Sequence, residues 1–304
     1  MRARPFQQID VFTAAPGYGN PVAVVLDGTG LDDAAMQHFA RWTNLSETTF
    51  VLPPIDAQAD YQLRIFTPGG ELPFAGHPTL GSCHAWLAAG GRPKRADVIM
   101  QQCAKGLVPI RREAVGGGKR LAFAAPPVAM SAPSPAVLAQ VAAALGLKAA
   151  QIQKAQLLDN GPVWLGLLLH DADAVLALEP QHSVLADLGQ KVGVAGVHQA
   201  QGATQLITRS NREARAFRTA ADAPAIEVRA FAAPVGVNED PVTGSLNASL
   251  AQWLIGTGDL PANYVAAQGT ALGRAGRVHI AQAGDGQVWV GGDCVGVVRG
   301  EVTL

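Results

Sequence analysis

Two stretches with helical spacing in this chain carry almost no charge, and each follows a strand and a turn rich in Gly and Pro. Residues 80–89 contain no Asp, Glu, Lys or Arg, and neither do residues 246–254. A helix without a charged face has no side to offer to water, so it is buried on nearly every side. One such helix asks for a sheet wrapped around it, and two ask for two such units. The segments that lead into them also match in kind. Arg64 and Phe66 lie on the strand before the first helix, Arg229 and Phe231 on the strand before the second. In each turn a titratable residue directly precedes Pro, as His77-Pro78 and as Asp240-Pro241. Repetition on this scale implies a duplicated domain, with a cleft between the copies and ionisable groups at both helix starts.

Composition bears on what such a pair of domains can bind. At 304 residues a single core gives way to two, and 48% hydrophobic against 15% charged residues supply enough apolar surface for both. The net charge is −1 with no run of like charges, which argues against nucleic acid or an anionic membrane surface as partner. The longest wholly apolar stretch lies within residues 163–169, too short to cross a bilayer. Residues 1–5 run into a strand pattern without the apolar centre of a signal peptide. Cys83, Cys103 and Cys294 are odd in number and lack Cys-x-x-Cys spacing, so they read as reduced thiols of a cytoplasmic protein.

Pattern predicts strands at 8–12, 22–26, 50–53, 61–66, 98–102, 108–112 and 121–123, and a helix over 32–42. The Pro-rich segment 124–135 is the clearest linker. Beyond it, 136–145 reads as an Ala-rich helix and 163–169 as a buried strand. Residues 173–178 and 182–192 read as short helices, 203–208 as a strand, and 278–281, 287–290 and 295–298 as closing strands. Strands and helices without strict alternation give α+β as the class. Two similar domains are expected, 1–125 and 126–304, with a C-terminal strand free to return to the first.

Four residues stand where acid/base chemistry needs them. Glu47 lies between a helix and a strand, near Leu45 and Phe50, where desolvation would raise its pKa toward that of a working general base. A surface Glu or a capping acid fits the same pattern. His77 immediately precedes the first apolar helix, and an imidazole with an ordinary pKa of ~6.5 can pass a proton there; a structural cap or core histidine fits as well. Gly76 permits close backbone approach, and the free N–H groups of a helix start can hold a carboxylate. At the second helix Asp240, Gly244 and Ser245 repeat the arrangement, with an N-cap and a helix-start serine as the plainer reading. No Gly-x-Ser-x-Gly elbow, P-loop or Rossmann order is present, and the histidines lack metal-ligand spacing. No cofactor and no metal are implied.

Several motifs together resemble the PhzF family, the phenazine-biosynthesis isomerase-like proteins, whose fold is like that of diaminopimelate epimerase. They are Asp10-Val11-Phe12-Thr13, Gly19-Asn20-Pro21-Val22-Ala23-Val24, the segment 44–50 and Phe74-Ala75-Gly76-His77-Pro78-Thr79. The second half adds Glu239-Asp240-Pro241-Val242-Thr243-Gly244-Ser245, Gln268-Gly269 with Gly273-Arg274, and Val290-Gly291-Gly292. The resemblance implies two domains, each a β-barrel-like sheet around a central helix, with the active site between them. It implies Glu47 as the catalytic acid/base, with His77, Asp240 and Ser245 beside it, and Ser46, Gly76 and Gly244 as binders of a small, cyclic, carboxylate-bearing substrate. It further implies isomerisation without cofactor, by movement of a carbon-bound proton, and a homodimer.

Two departures qualify the resemblance. Diaminopimelate epimerases carry a cysteine at each helix start, where this chain has His77-Pro78 and Gly244-Ser245, so racemisation by two thiols is not expected. Leu246 stands where a small residue often follows the serine in the family, so a narrower or more apolar pocket beside Ser245 is expected. A non-catalytic protein that binds a metabolite or another protein is the alternative on the same scaffold. A hydrolase or lyase that activates water through Asp240 and His77 is the third reading.

Overall fold

The two uncharged helices form, and each starts earlier than its apolar run. The computed structural model describes residues 1–115, 118–198 and 223–304, so the strand expected at 203–208 lies outside it. In the first half the order is β1 (Ala3–Val11), β2 (Asn20–Val25), α1 (Asp33–Thr43), β3 (Glu47–Leu52), β4 (Tyr61–Thr67), β5 (Gly70–Leu72), α2 (Gly76–Ala88), β6 (Val98–Cys103), β7 (Gly106–Val115) and β8 (Gly118–Ala124). After it come β9 (Ala129–Ser131), α3 (Pro135–Ala144), β10 (Ile152–Asp159), β11 (Val163–Leu169), α4 (Ala172–Leu176), α5 (His182–Asp187) and β12 (Lys191–Val197). The chain closes with β13 (Ile226–Ala232), β14 (Val237–Asp240), α6 (Gly244–Gly256), β15 (Asn263–Gln268), β16 (Gly276–Gln282), β17 (Val288–Gly292) and β18 (Cys294–Thr303).

Pairing repeats step for step. In the first half β1–β2 is antiparallel, β2–β3 parallel, β3–β4 antiparallel, β4–β6 parallel, and β6–β7–β8 an antiparallel meander. The strands β10, β11, β12, β13, β15, β16 and β17 follow the same rules in the same order. Between the halves β8 pairs antiparallel with β17. The sheets also exchange strands: β9 crosses to pair with β10, and β18 returns to pair with β1.

The repeat extends to side chains. Arg64 on β4 donates to both carboxylate oxygens of Glu71 on β5, at 2.7 and 2.6 Å, with its guanidinium 5.0 Å from the Phe66 ring. Arg229 on β13 does the same to Glu239 on β14, at 2.9 and 2.8 Å, and lies 5.0 Å from Phe231. A bidentate guanidinium–carboxylate pair is directional, so it fixes the twist of each hairpin that leads into an apolar helix. The second pair is buried, and the Val175 and Leu178 carbonyls take up further guanidinium N–H groups.

Leu80, Cys83 and Ala85 of α2 pack with Ile9, Val11 and Val22, while Leu246, Leu250 and Trp253 of α6 join the same core from the other half. Each aliphatic side chain so buried contributes about 1.5–3 kcal/mol, which offsets the lack of any charged face. Pro78 falls in the first turn of α2 rather than before the helix. A proline is tolerated there, because a first-turn N–H has no intrahelical acceptor to lose. The helix expected over 182–192 stops at Asp187. Gly189 adopts φ +65°, and Lys191 already pairs with Trp164 as strand. Within the expected linker, residues 129–131 pair with β10 as a short edge strand.

Candidate active site

Three dipeptides of a polar residue and Pro converge between the halves: Asn20-Pro21 at the start of β2, His77-Pro78 in the first turn of α2, and Asp240-Pro241 at the end of β14. The N-termini of α2 and α6 touch through bare backbone. A Cβ on Gly76 would lie 2.8 Å from the Gly244 Cα, and one on Gly244 would lie 2.9 Å from the Gly76 Cα. Neither Ala75 nor Thr243, the cap positions, caps its helix with a side chain. Two helix ends, each equivalent to about half a positive charge, therefore meet with their first N–H groups uncapped.

Glu47 opens β3, held there by its parallel register with Val22 of β2. Its Oε2 lies 3.2 Å from His77 Nε2, and the two side chains are only 14% and 4% exposed. These two atoms lack hydrogen-bond alignment with each other, and neither has a hydrogen-bond partner among the described residues. His77 Nδ1 lies 3.3 Å from Asn20 Nδ2, so the imidazole is held between Asn20 on one side and Glu47 on the other. Desolvation pushes the imidazole down to about 3, only partly offset by a hydrogen bond to the Pro21 backbone. For Glu47, burial and then the negative charge of Asp240 raise the carboxyl well above its ordinary value.

Asp240 is the better-solvated carboxyl of the two in hydrogen-bond terms. Its Oδ1 accepts from Asn20 Nδ2 at 2.8 Å and its Oδ2 from the Thr243 hydroxyl at 2.6 Å. Burial raises it to about 6, and those two bonds restrain the rise. Burial thus favours the neutral forms of His77 and Glu47, while the hydrogen bonds to Asp240 favour its charged form. Titratable neighbours driven apart in this way are the mark of acid/base sites. Gln268 braces the assembly by accepting from the Thr243 N–H at 3.0 Å and donating to the Asp240 carbonyl at 3.0 Å.

A cleft of about 620 Å³ opens over this cluster. Ser46, Glu47, Asp240, Thr243 and Ser245 form its polar wall, and Leu72, Phe74, Trp164 and Val237 much of the apolar one. His77, Gly76 and Gly244 are buried behind that wall, next to the lining residues Ala75, Thr243 and Ser245. Leu246 corrects an expectation: it does not line the cleft but turns into β12, where a Cβ on Gly193 would lie 2.2 Å from its Cδ1. The glycine opposite makes room for it, so Leu246 does not set the width of the pocket beside Ser245. Sequence reading missed Asn20, which ties His77 and Asp240 together, and Lys191, which lines the cleft. The polar-before-Pro pattern shared with His77 and Asp240 was a signal for Asn20.

His77 makes the acid stability of the protein depend on this site. Between pH 6.5 and about 3 the unfolded chain binds a proton at this position that the native imidazole refuses. The stability it contributes is whole above pH 6.5 and is lost as pH falls through that interval. Asp240 acts in the opposite sense: its stabilising contribution is present below 3.8 and lost as pH rises through about 6. His77→Gln is expected to flatten the acid decline of urea midpoints between pH 6.5 and 4; a decline as steep as wild type would show that His77 already titrates in the native protein.

Comparison with known proteins gives the family. Residues 9–300 match the family model described as phenazine biosynthesis-like protein. The chain is 35% identical over 283 residues to antisense-enhancing sequence 1 of Schizosaccharomyces pombe, covering 90% of this chain and 88% of that one. It is 33% identical over 285 residues to the trans-2,3-dihydro-3-hydroxyanthranilate isomerase of Pseudomonas aeruginosa, covering 92% and 90%. Among solved structures, a predicted epimerase of Pseudomonas aeruginosa superposes with a TM-score of 0.76 at 28% identity, covering 99% of each chain. A PhzF-family protein of Bacillus anthracis shares the fold, with a TM-score of 0.79 at 22% identity over the whole of both chains. With its duplicated fold, paired helix starts and near-complete family match, the chain belongs to the PhzF family of phenazine biosynthesis-like proteins.

Proposed function

We propose that this PhzF-family isomerase moves a carbon-bound proton on a small, cyclic, carboxylate-bearing substrate, without a cofactor, by general acid/base catalysis at Glu47. The observation that carries the reading is the 3.2 Å approach of Glu47 Oε2 to His77 Nε2 on the wall of a largely apolar cleft, beside Asp240. Glu47 gives a proton to one carbon of an unsaturated system and takes one from another, so its carboxyl ends as it began. Such assistance contributes ~10²–10⁴-fold in rate. His77, with Nε2 3.2 Å away, packs against the carboxyl and positions it, and the charge of Asp240 favours its protonated form. The uncapped helix starts at Gly76 and Gly244, with Ser46 and Ser245, hold the substrate carboxylate, as the positive end of a helix favours an anion. The isomerase name of the Pseudomonas aeruginosa relative supports a ring substrate.

The test is proton exchange in D₂O, with trans-2,3-dihydro-3-hydroxyanthranilate as first probe and deuterium at ring carbons read by NMR. Catalysed incorporation is the expected result. A ligand that binds without any incorporation would overturn the reading in favour of a binding protein. Because Asp240 titrates near 6, the exchange rate is expected to fall on the acid side with a midpoint close to that value. Asp240→Asn should abolish that limb, and its persistence in the variant would remove Asp240 from the mechanism.

A further inference from the structure

Lys191, the first residue of β12, is the lone Lys or Arg among the described residues that line the cleft. Parallel pairing sets it beside Trp164 of β11, and its ammonium lies 5.5 Å from the centre of the indole ring. Lys191 is half-buried, with no carboxylate within ion-pair distance among the described residues, although Glu47 and Asp240 line the same cleft. Lys154, by contrast, bonds both oxygens of Asp259. A cation drawn from water onto an aromatic wall without a counter-ion is an unbalanced charge, and the ring face compensates it only in part.

The charges of the cleft point the same way. Lys191 and the two helix ends each bring positive charge to it, and burial favours the uncharged form of Glu47. Burial also lowers the Lys191 pKa, a shift that a bound anion would reverse.

We propose that Lys191, seated over Trp164, binds a second anionic group of the substrate, a carboxylate or a phosphate, so that the preferred substrates carry two acidic groups on one ring-sized frame. The inference deepens the reading above and rests on it for the first anionic group, at the helix starts. Trp164 is 3% exposed and supplies a flat, rigid floor beneath the ammonium, which favours a planar frame over a flexible chain.

Binding of simple ring acids tests it without turnover. Benzoate, phthalate, isophthalate, terephthalate and 3-phosphonobenzoate are titrated by calorimetry into wild type, Lys191→Met and Lys191→Arg. Wild type is expected to bind at least one doubly acidic probe roughly tenfold more tightly than benzoate, the scale of a hydrogen bond to a charged group. The position isomer preferred reads the spacing of the two sites, and isophthalate against 3-phosphonobenzoate separates carboxylate from phosphate-type recognition. Lys191→Met should lose the preference while binding benzoate as wild type does, and Lys191→Arg should keep it. A preference that survives Lys191→Met overturns the inference, as does its absence from wild type or failure of every probe to bind. Deuterium exchange reports separately on Glu47: loss of a Lys191 effect leaves the reaction standing, and absent exchange with the Lys191 effect intact leaves the anion site standing.

Discussion

Glu47→Gln is expected to lower deuterium incorporation from solvent by about 10²–10⁴-fold, while ligand affinity stays within roughly twofold of wild type. The carboxamide has the shape of the carboxylic acid and fills the same place 3.2 Å from His77 Nε2, so the local packing survives. What it cannot do is give up a proton to carbon and take one back. Charge is the sharper part of the argument. Burial and Asp240 favour the protonated form of Glu47, and a neutral amide matches the charge of that form. An ionised Glu47 would instead make the Gln variant bind anions distinctly more tightly. Benzoate titration of wild type and variant therefore reads the resting state, and NMR exchange reads the chemistry. Undiminished incorporation in the variant would dismiss Glu47 as the acid/base.

The other large effect is expected at Gly244. Adding one methyl there brings a Cβ to 2.9 Å from the Gly76 Cα and 3.1 Å from the His77 nitrogen, and both neighbours are backbone that cannot rotate aside. Gly244→Ala should cost about 1–3 kcal/mol, the usual range for overpacking, and lower the thermal midpoint by several degrees, at roughly 2–4 °C per kcal/mol for a chain of this size. Exchange should fall further than stability, because the two helix starts are forced apart where the carboxylate is proposed to bind. Gly256→Ala is the matched control. It changes the last residue of the same helix, no atom lies within 4 Å of the added Cβ, and a small gain in stability is expected. Equal midpoints for the two variants would refute the close contact of the helices.

The burial of α2 and α6 was legible because an uncharged helix has only one place to go, and the Arg–Phe strands before them marked the duplication. Their starts were less legible. Pro78 looks like a boundary in sequence, yet it sits in the first turn, where its missing N–H is no loss. Strand β1 was read as five residues rather than nine because its outer half alternates poorly. Two flanking strands hold it, and one of them, β18, lies at the far end of the sequence. Short, exposed β9 carries no periodic signal, being made by its partner β10. Glu47, His77, Asp240 and Ser245 stood out by their places at helix and strand starts. Lys191 did not, since nothing local distinguishes a lysine that opens a strand from one that faces water; its neighbour Trp164 is brought to it by the sheet. Leu246 misled because sequence gives adjacency to Ser245 but not direction, and on a helix the next residue points about 100° away.

The return of β18 to β1 has a consequence for how the protein is made. Ala3 faces Thr303 and Val11 faces Cys294, so β1 is completed by a strand made only after the whole of the second half. During synthesis the first barrel carries an open edge, exposed to mispairing with other nascent chains, until β18 has emerged. Contacts of such long sequence separation slow folding. The two halves, though built alike, therefore mature in reverse order: the first one translated is the last one finished.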